Sequence, residues 1–205
     1  MAKDETRIIV SAAVEGVVDE AVLRRVMSDV GCILGVVYGK VGKGRLRQKI
    51  NGYNQAARLS PWVVLVDLDH DSDCAPPLRN ERLPNPAPSM CFRVAVREVE
   101  SWLLADRERI ARFLSVSVSR IPRNSETIAN PKEFMVELAK ASRRREIRED
   151  MVPAPGSERV VGPAYTSRMI EFAASHWQPR NAAQHADSLR RCLLRIHELV
   201  KTQCR

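Results

Sequence analysis

Residues 63–73 read VVLVDLDHDSD: an apolar run that passes straight into Asp67, Asp69, Asp71 and Asp73, one at every second position. Carboxylates held this close repel one another, and crowding them into a partly buried crevice is unfavourable unless a cation neutralises them. A hard divalent ion does so. Magnesium takes a few carboxylate oxygens together with water and substrate phosphate, and such an ion orients water and stabilises the charge that develops in phosphoryl transfer. If a strand persists through the DLD run, the spacing of two puts Asp67 and Asp69 on the same side, where both can meet one ion. The series also imitates the start of a calcium loop. That loop needs Gly at its sixth place and Glu at its twelfth, where this chain has Ser72 and Leu78, so the calcium reading is rejected.

Two further apolar runs end in acids. RIIVSAAV (7–14) is followed by Glu15, and CFRVAV (91–96) runs within a few residues into Glu98 and Glu100. In an open parallel sheet ligands bind outside the carboxyl ends of the strands, so these are the acids to combine with Asp67 and Asp69. On a helix Glu98 and Glu100 point to opposite sides of the face formed by Val99, Trp102 and Leu103, so one of them reaches the site, and Glu100 is preferred. Lys40, Lys43 and Arg45, in GKVGKGRLR, sit where phosphate could be gripped with backbone amides freed by Gly39, Gly42 and Gly44. The stretch lacks the GxxxxGK[ST] order of a P-loop.

Each residue also has a plainer reading. Glu15 can be an acid favoured at a helix amino terminus. The DLD pair can be turn chemistry, Glu98 and Glu100 surface ion-pair residues, and the basic stretch a solvated loop. Arg143, Arg144 and Arg145 read as a solvated helix end. His70, His176, His185 and His197 lack ligand spacing, though His70 lies between two aspartates as a possible site neighbour. Trp102, Tyr165, Phe172 and Trp177 are most simply core, and an aromatic content of 5% is thin for a base-stacking platform.

The elements that would position these acids alternate. Strands are expected at 7–14, 32–39, 62–69 and 91–96, with helices from about Val18 to Val30, within 40–59 after a basic loop, and from 97 to 114. The proline-rich 76–89 is read as loop, because closely spaced prolines deny it a ladder or a helix. This is an α/β domain with a parallel sheet flanked by helices, assigned to residues 1–114. From 115 to 205 the pattern is helical, a C-terminal cap or extension on the sheet. Asn130, Pro131 and Glu133 look like an N-cap, a first-turn proline and a capping-box partner, opening a helix that ends in the charged 142–150.

Composition narrows the class. At 205 residues and 44% hydrophobic content the chain can bury a core, and the net charge of +8 favours a polyanionic partner such as nucleic acid. Five cysteines without CxxC spacing argue against a zinc or redox site. No apolar run is long enough to span a bilayer and the first residues lack the apolar stretch of a signal peptide, so a cytoplasmic location without membrane contact is expected.

Taken together, VEG with a helix behind it, VDLDHD after an apolar strand, and the intervening βα units resemble the Toprim domain of topoisomerases, primases and overcoming-lysogenization-defect nucleases. AVREVESWLLAD, GPAYTSRMIEF and SLRRCLLRI further resemble a family of small stand-alone bacterial Toprim-like proteins. The likeness implies a four-stranded parallel sheet, Glu15 as general acid or base or metal ligand, and Asp67 and Asp69 holding Mg2+ (or Mn2+), with Glu100 or Glu98 completing the site. It further implies a nuclease acting on DNA or RNA, a place in mobile-element or phage defence, and an ATPase partner protein. Neither an ATPase domain nor an active-site tyrosine context is seen, which argues against topoisomerase chemistry. A non-catalytic nucleic-acid-binding or regulatory module and a hydrolase of small phosphorylated molecules are the alternatives.

Overall fold

The computed structural model of the chain describes residues 8–203. Strands β1 (Ile9–Val14), β2 (Ile33–Gly39), β3 (Trp62–Asp67) and β4 (Met90–Ala95) form one sheet in the order β2-β1-β3-β4, every pairing parallel. The helices between them are α1 (Val17–Val30), α2 (Lys43–Ala56) and α3 (Ala75–Arg82). After β4 the chain is helical: α4 (Val99–Ala105), α5 (Arg107–Leu114), α6 (Pro131–Lys140), α7 (Arg145–Met151), α8 (Tyr165–Ser175), α9 (Pro179–Ala182) and α10 (Asp187–Gln203). The protein is thus α/β, with a four-stranded all-parallel sheet flanked by helices and a helical C-terminal part.

Both faces of the sheet are apolar, and helices cover most of each. On one side Val10, Ala12, Val14, Val63 and Leu65 pack with α1, α4, α8 and α10 in a single core that includes Trp102, Tyr165, Phe172 and Trp177. That core runs without interruption across Leu114, so sheet and helical half are joined by one apolar interior. On the other side Ala13, Val64, Val66 and Phe92 pack against Leu46 and Ile50 of α2 and Leu78 of α3.

Five local expectations are corrected. The proline-rich stretch opens with α3, because Pro76 and Pro77 fall in its first turn, where a helix leaves the backbone N–H groups unused. The helix expected over 97–114 is broken at Asp106, which ends α4 and starts α5. Its buried carboxylate accepts from the backbone N–H of Gln178 at 2.8 Å, a bond formed with a distant segment. The helix opened at Pro131 stops at Lys140; of the arginine cluster, Arg143 and Arg144 precede α7 and Arg145 opens it. Asn130 holds the cap position, but its amide donates to Glu133 rather than capping the backbone. Finally, β3 ends at Asp67 rather than at residue 69. Expected residue 7 and Cys204 lie outside the described residues.

At the rim formed by the carboxyl ends of the strands Gly39, with φ of 87°, ends β2, and a Cβ there would stand 2.1 Å from the Val14 carbonyl oxygen. Gly42 has φ of 90° but open space around it. Gly39→Ala is expected to lower the unfolding free energy by well over the ~1–2 kcal/mol of left-handed strain alone, and Gly42→Ala by no more than about that amount. Urea unfolding midpoints check the pair. Equal losses would show that the β2 end is free to move away from β1.

Candidate active site

The acids meet because the strands are parallel and their carboxyl ends share a rim. Glu15 directly follows β1, and its Oε1 accepts from the backbone N–H of Asp67 at 3.3 Å. Asp67 closes β3, and its Oδ1 accepts from the N–H of Val99 at 3.0 Å, at the start of α4 beyond β4. A chain of carboxylate-to-amide bonds therefore ties the ends of β1, β3 and β4. Asp19, in the first turn of α1, joins from the β1 side, with its Oδ2 folded back toward Gly16. Glu100 joins from the α4 side, accepting from the Tyr165 hydroxyl at 3.2 Å.

Repulsion and burial act together on this group. Burial pushes the Glu15 carboxyl up to about 7, helped by the nearby charge of Asp19. Burial likewise raises Asp19 to about 6 and Glu100 to about 7. Asp67 is raised well above the usual carboxylate range by burial, with Asp19, Glu100, Glu15 and Asp69 all opposing its charge. Two lysines answer part of that negative charge. Lys132, at the start of α6, lies 3.2 Å from Glu98 Oε1 and 3.8 Å from Glu100 Oε1. Burial works against its charge, but Glu100 and Glu98 outweigh that and hold it protonated above the ordinary range. Lys43 lies 2.7 Å from Asp69 Oδ2 and 2.6 Å from Asp71 Oδ2, and Arg82 also reaches Asp71. Beside the acids a cleft is lined by Glu15, Lys43, Arg47, Asp67, Asp71 and Arg82.

The backbone at this rim is strained. Lys40, Asp69 and Arg97, just past β2, β3 and β4, have φ of 63°, 46° and 61°. Asp69 and Arg97 clamp one another: the Asp69 N–H donates to the Arg97 carbonyl, and Arg97 Nη1 donates to the Asp69 carbonyl, each at 2.8 Å. Left-handed residues other than glycine are costly, and they persist where the surrounding structure over-determines them.

The expected residues fare differently. Glu15, Asp67 and Glu100 converge. Asp69 stays beside them, but the chain has turned before it, so it does not share a strand face with Asp67, and its carboxylate is held by Lys43. Glu98 adopts an extended conformation ahead of α4, so helical phasing does not apply to it. Its Oε2 accepts from the Lys132 N–H at 2.9 Å, capping α6, and its Oε1 pairs with Lys132 Nζ. Of the basic trio, Lys40 pairs with Glu20 at 3.0 Å, Lys43 with the two aspartates, and Arg45 points to solvent from α2. They form no single phosphate cradle. His70 lies 3.2 Å from Asn130 Oδ1.

Three residues escaped the sequence reading. Asp19 looked like a first-turn acid, although its place four residues after Glu15 was a usable signal. Lys132 carried no signal. Tyr165 is core by its ring, yet its hydroxyl serves Glu100.

The donor set suits a hard cation, since it is all carboxylate oxygen, and Asp19 Oδ1 is buried with no hydrogen-bond partner. It is not a finished cage: no three His, Cys, Asp or Glu side chains among the described residues are placed to hold a metal ion together. Glu15, Asp67, Asp69 and Glu100 each spend an oxygen on a protein donor.

Raised carboxyl values mean that the folded state binds more protons than the unfolded one between the ordinary value of 4.5 and about 7 for Glu15 and Glu100. Stability without divalent cation is therefore expected to fall as pH rises through that window. Asp67→Asn, which keeps an acceptor for Val99 and removes a charge, should raise the melting temperature at pH 8. Calorimetry in EDTA checks both, and a protein most stable at pH 8 would show that the acids do not oppose one another. Comparison of the chain with protein-family models, curated proteins and solved structures finds no match.

Proposed function

We propose that the acidic pocket is the active site of a divalent-cation-dependent nuclease that hydrolyses phosphodiester bonds in DNA or RNA. The observation that carries this reading is the convergence of Glu15, Asp19, Asp67 and Glu100 from three neighbouring strand ends, with one buried Asp19 oxygen left unpartnered. Such a cluster weakens the apoprotein, and a bound cation makes it tolerable.

Bound Mg2+ or Mn2+ would supply charge stabilisation at the phosphate and a more acidic water. Glu15, Asp19, Asp67 and Asp69 would hold it, Asp69 after release from Lys43, with Glu100 completing the acidic wall. Glu15, with its carboxyl near neutrality, is suited to accept a proton from the attacking water. Lys43, Arg47 and Arg82 line the cleft, and each would meet phosphate oxygens on leaving its present carboxylate partner. Lys132 pairs with Glu98 and lies near Glu100, at 3.2 Å and 3.8 Å. The Toprim resemblance supports the same assignment, and a partner ATPase belongs to the proposal on that resemblance alone.

One observation favours a second reading. Lys43 and Lys132 already neutralise part of the cluster, as they would in a binding module that never takes a metal. Cleavage assays on supercoiled plasmid, single-stranded DNA and RNA with Mg2+ or Mn2+ separate the two. Wild-type protein is expected to cut at least one polymer, while Asp67→Ala, Asp19→Asn and Glu15→Gln fall to background. Absence of cleavage in every arm removes the nuclease reading, and calorimetric titration with Mn2+ then reports whether the pocket takes a cation at all.

A further inference from the structure

The sheet is covered unevenly. Helix α2 packs over β3 and β1 and leaves the β2 corner bare, although parallel sheets are ordinarily buried on both faces. There Ile9, Ile33, Val36 and Tyr38 are 62%, 42%, 59% and 45% exposed. A contiguous apolar patch of this kind on a charged protein marks an interaction surface. Tyr38 is also held rigidly. Its ring stacks on Trp62 at 5.5 Å and meets Tyr53 at 5.9 Å, and those two rings stack at 5.2 Å.

The flank of α2 beside this patch is cationic. Tyr53 reaches Tyr38 from α2, and Lys49 and Arg45 lie one and two turns before Tyr53 on the same side of the helix. Both are exposed, and neither has an acidic partner among the described residues. Gly52 adds no side chain to that flank. The stripe leads to the acidic pocket: Tyr38 is in register with Ala13, Lys40 N–H donates to the Val14 carbonyl, and Gly42 N–H donates to the Glu15 carbonyl.

We propose that the β2 corner is a track for single-stranded nucleic acid, with Tyr38 as a base-stacking platform and Arg45 and Lys49 as phosphate contacts. The proposal rests on the nuclease reading for its polymer class and adds the form of the polymer. Charge decides the occupant. A second copy pairing along the uncharged edge CILGVVYG would bring Lys40, Arg45 and Lys49 toward their own duplicates in a chain already at +8. A single strand offers flat bases to the exposed ring and apolar residues and phosphates to the cations. A duplex keeps its bases inside and engages only the cations. The low aromatic content is an average over the whole chain, whereas folding brings three of its ten aromatic rings together here.

Fluorescence anisotropy of the full chain in EDTA, with a labelled oligothymidylate of about 12 nucleotides and a duplex of equal length, tests this. The single strand is expected to bind more tightly than the duplex. Tyr38→Ala and Tyr38→Leu should weaken binding on the order of tenfold, and Tyr38→Phe should retain it. Replacing both Arg45 and Lys49 by Gln, at surface positions that do not endanger folding, should reduce the salt slope by roughly 0.7 per lost contact. Equal affinity for duplex, or wild-type binding by Tyr38→Leu, overturns the proposal. So does a sedimenting dimer that Val36→Lys dissociates without changing oligonucleotide affinity. A nuclease that cuts duplex but binds no single strand sinks the track and spares the pocket, whereas Tyr38-dependent binding without cleavage does the reverse.

Discussion

The organisation of this protein turns on one residue, Asp67, which serves two neighbours at once. Its backbone N–H meets the Glu15 carboxylate and its own carboxylate meets the Val99 N–H, so the ends of three adjacent strands are tied by groups that also repel. Hydrogen bonds to a carboxylate are worth more in a partly buried rim than in water, and so is the repulsion between carboxylates. The rim is a compromise between the two. Its acids sit close because the amides hold them there, and their protons are retained to near neutral pH because burial first, and neighbouring carboxylates second, oppose their charge.

The helical half belongs to that compromise. Lys132 on α6 answers Glu98 and Glu100, and the Tyr165 hydroxyl on α8 answers Glu100, while the rings and aliphatic side chains around them continue the core of the sheet. Helices that bury one face of the sheet thus deliver the polar groups its edge requires. The opposite face is covered only as far as α2 and α3 extend, which leaves the β2 corner apolar and exposed.

Backbone strain follows the same map. Three of the four non-glycine residues with positive φ among the described residues lie just past β2, β3 and β4. Strain, buried like charges and an orphaned carboxylate oxygen thus gather in one place. The rest of the molecule shows the reverse, with apolar side chains packed in two continuous clusters.

The alternation of apolar runs and helical periods was enough to establish the parallel α/β sheet, and the position of acids after apolar runs pointed to Glu15, Asp67, Asp69, Glu98 and Glu100, of which Glu15, Asp67 and Glu100 converge. Both are local properties, written in the period of the side chains and in the polarity change at a strand end. Sequence could not show where β3 stops, because the turn at Asp69 depends on its bonds to Arg97, 28 residues away. Nor could it show that Glu98 would cap α6, that Asp106 would split a helix to reach Gln178, or that Lys132 would enter the pocket. In each case the deciding partner lies far along the chain. Electrostatic and hydrogen-bonding energies depend on separation in space, so only the tertiary structure could decide which charges became neighbours.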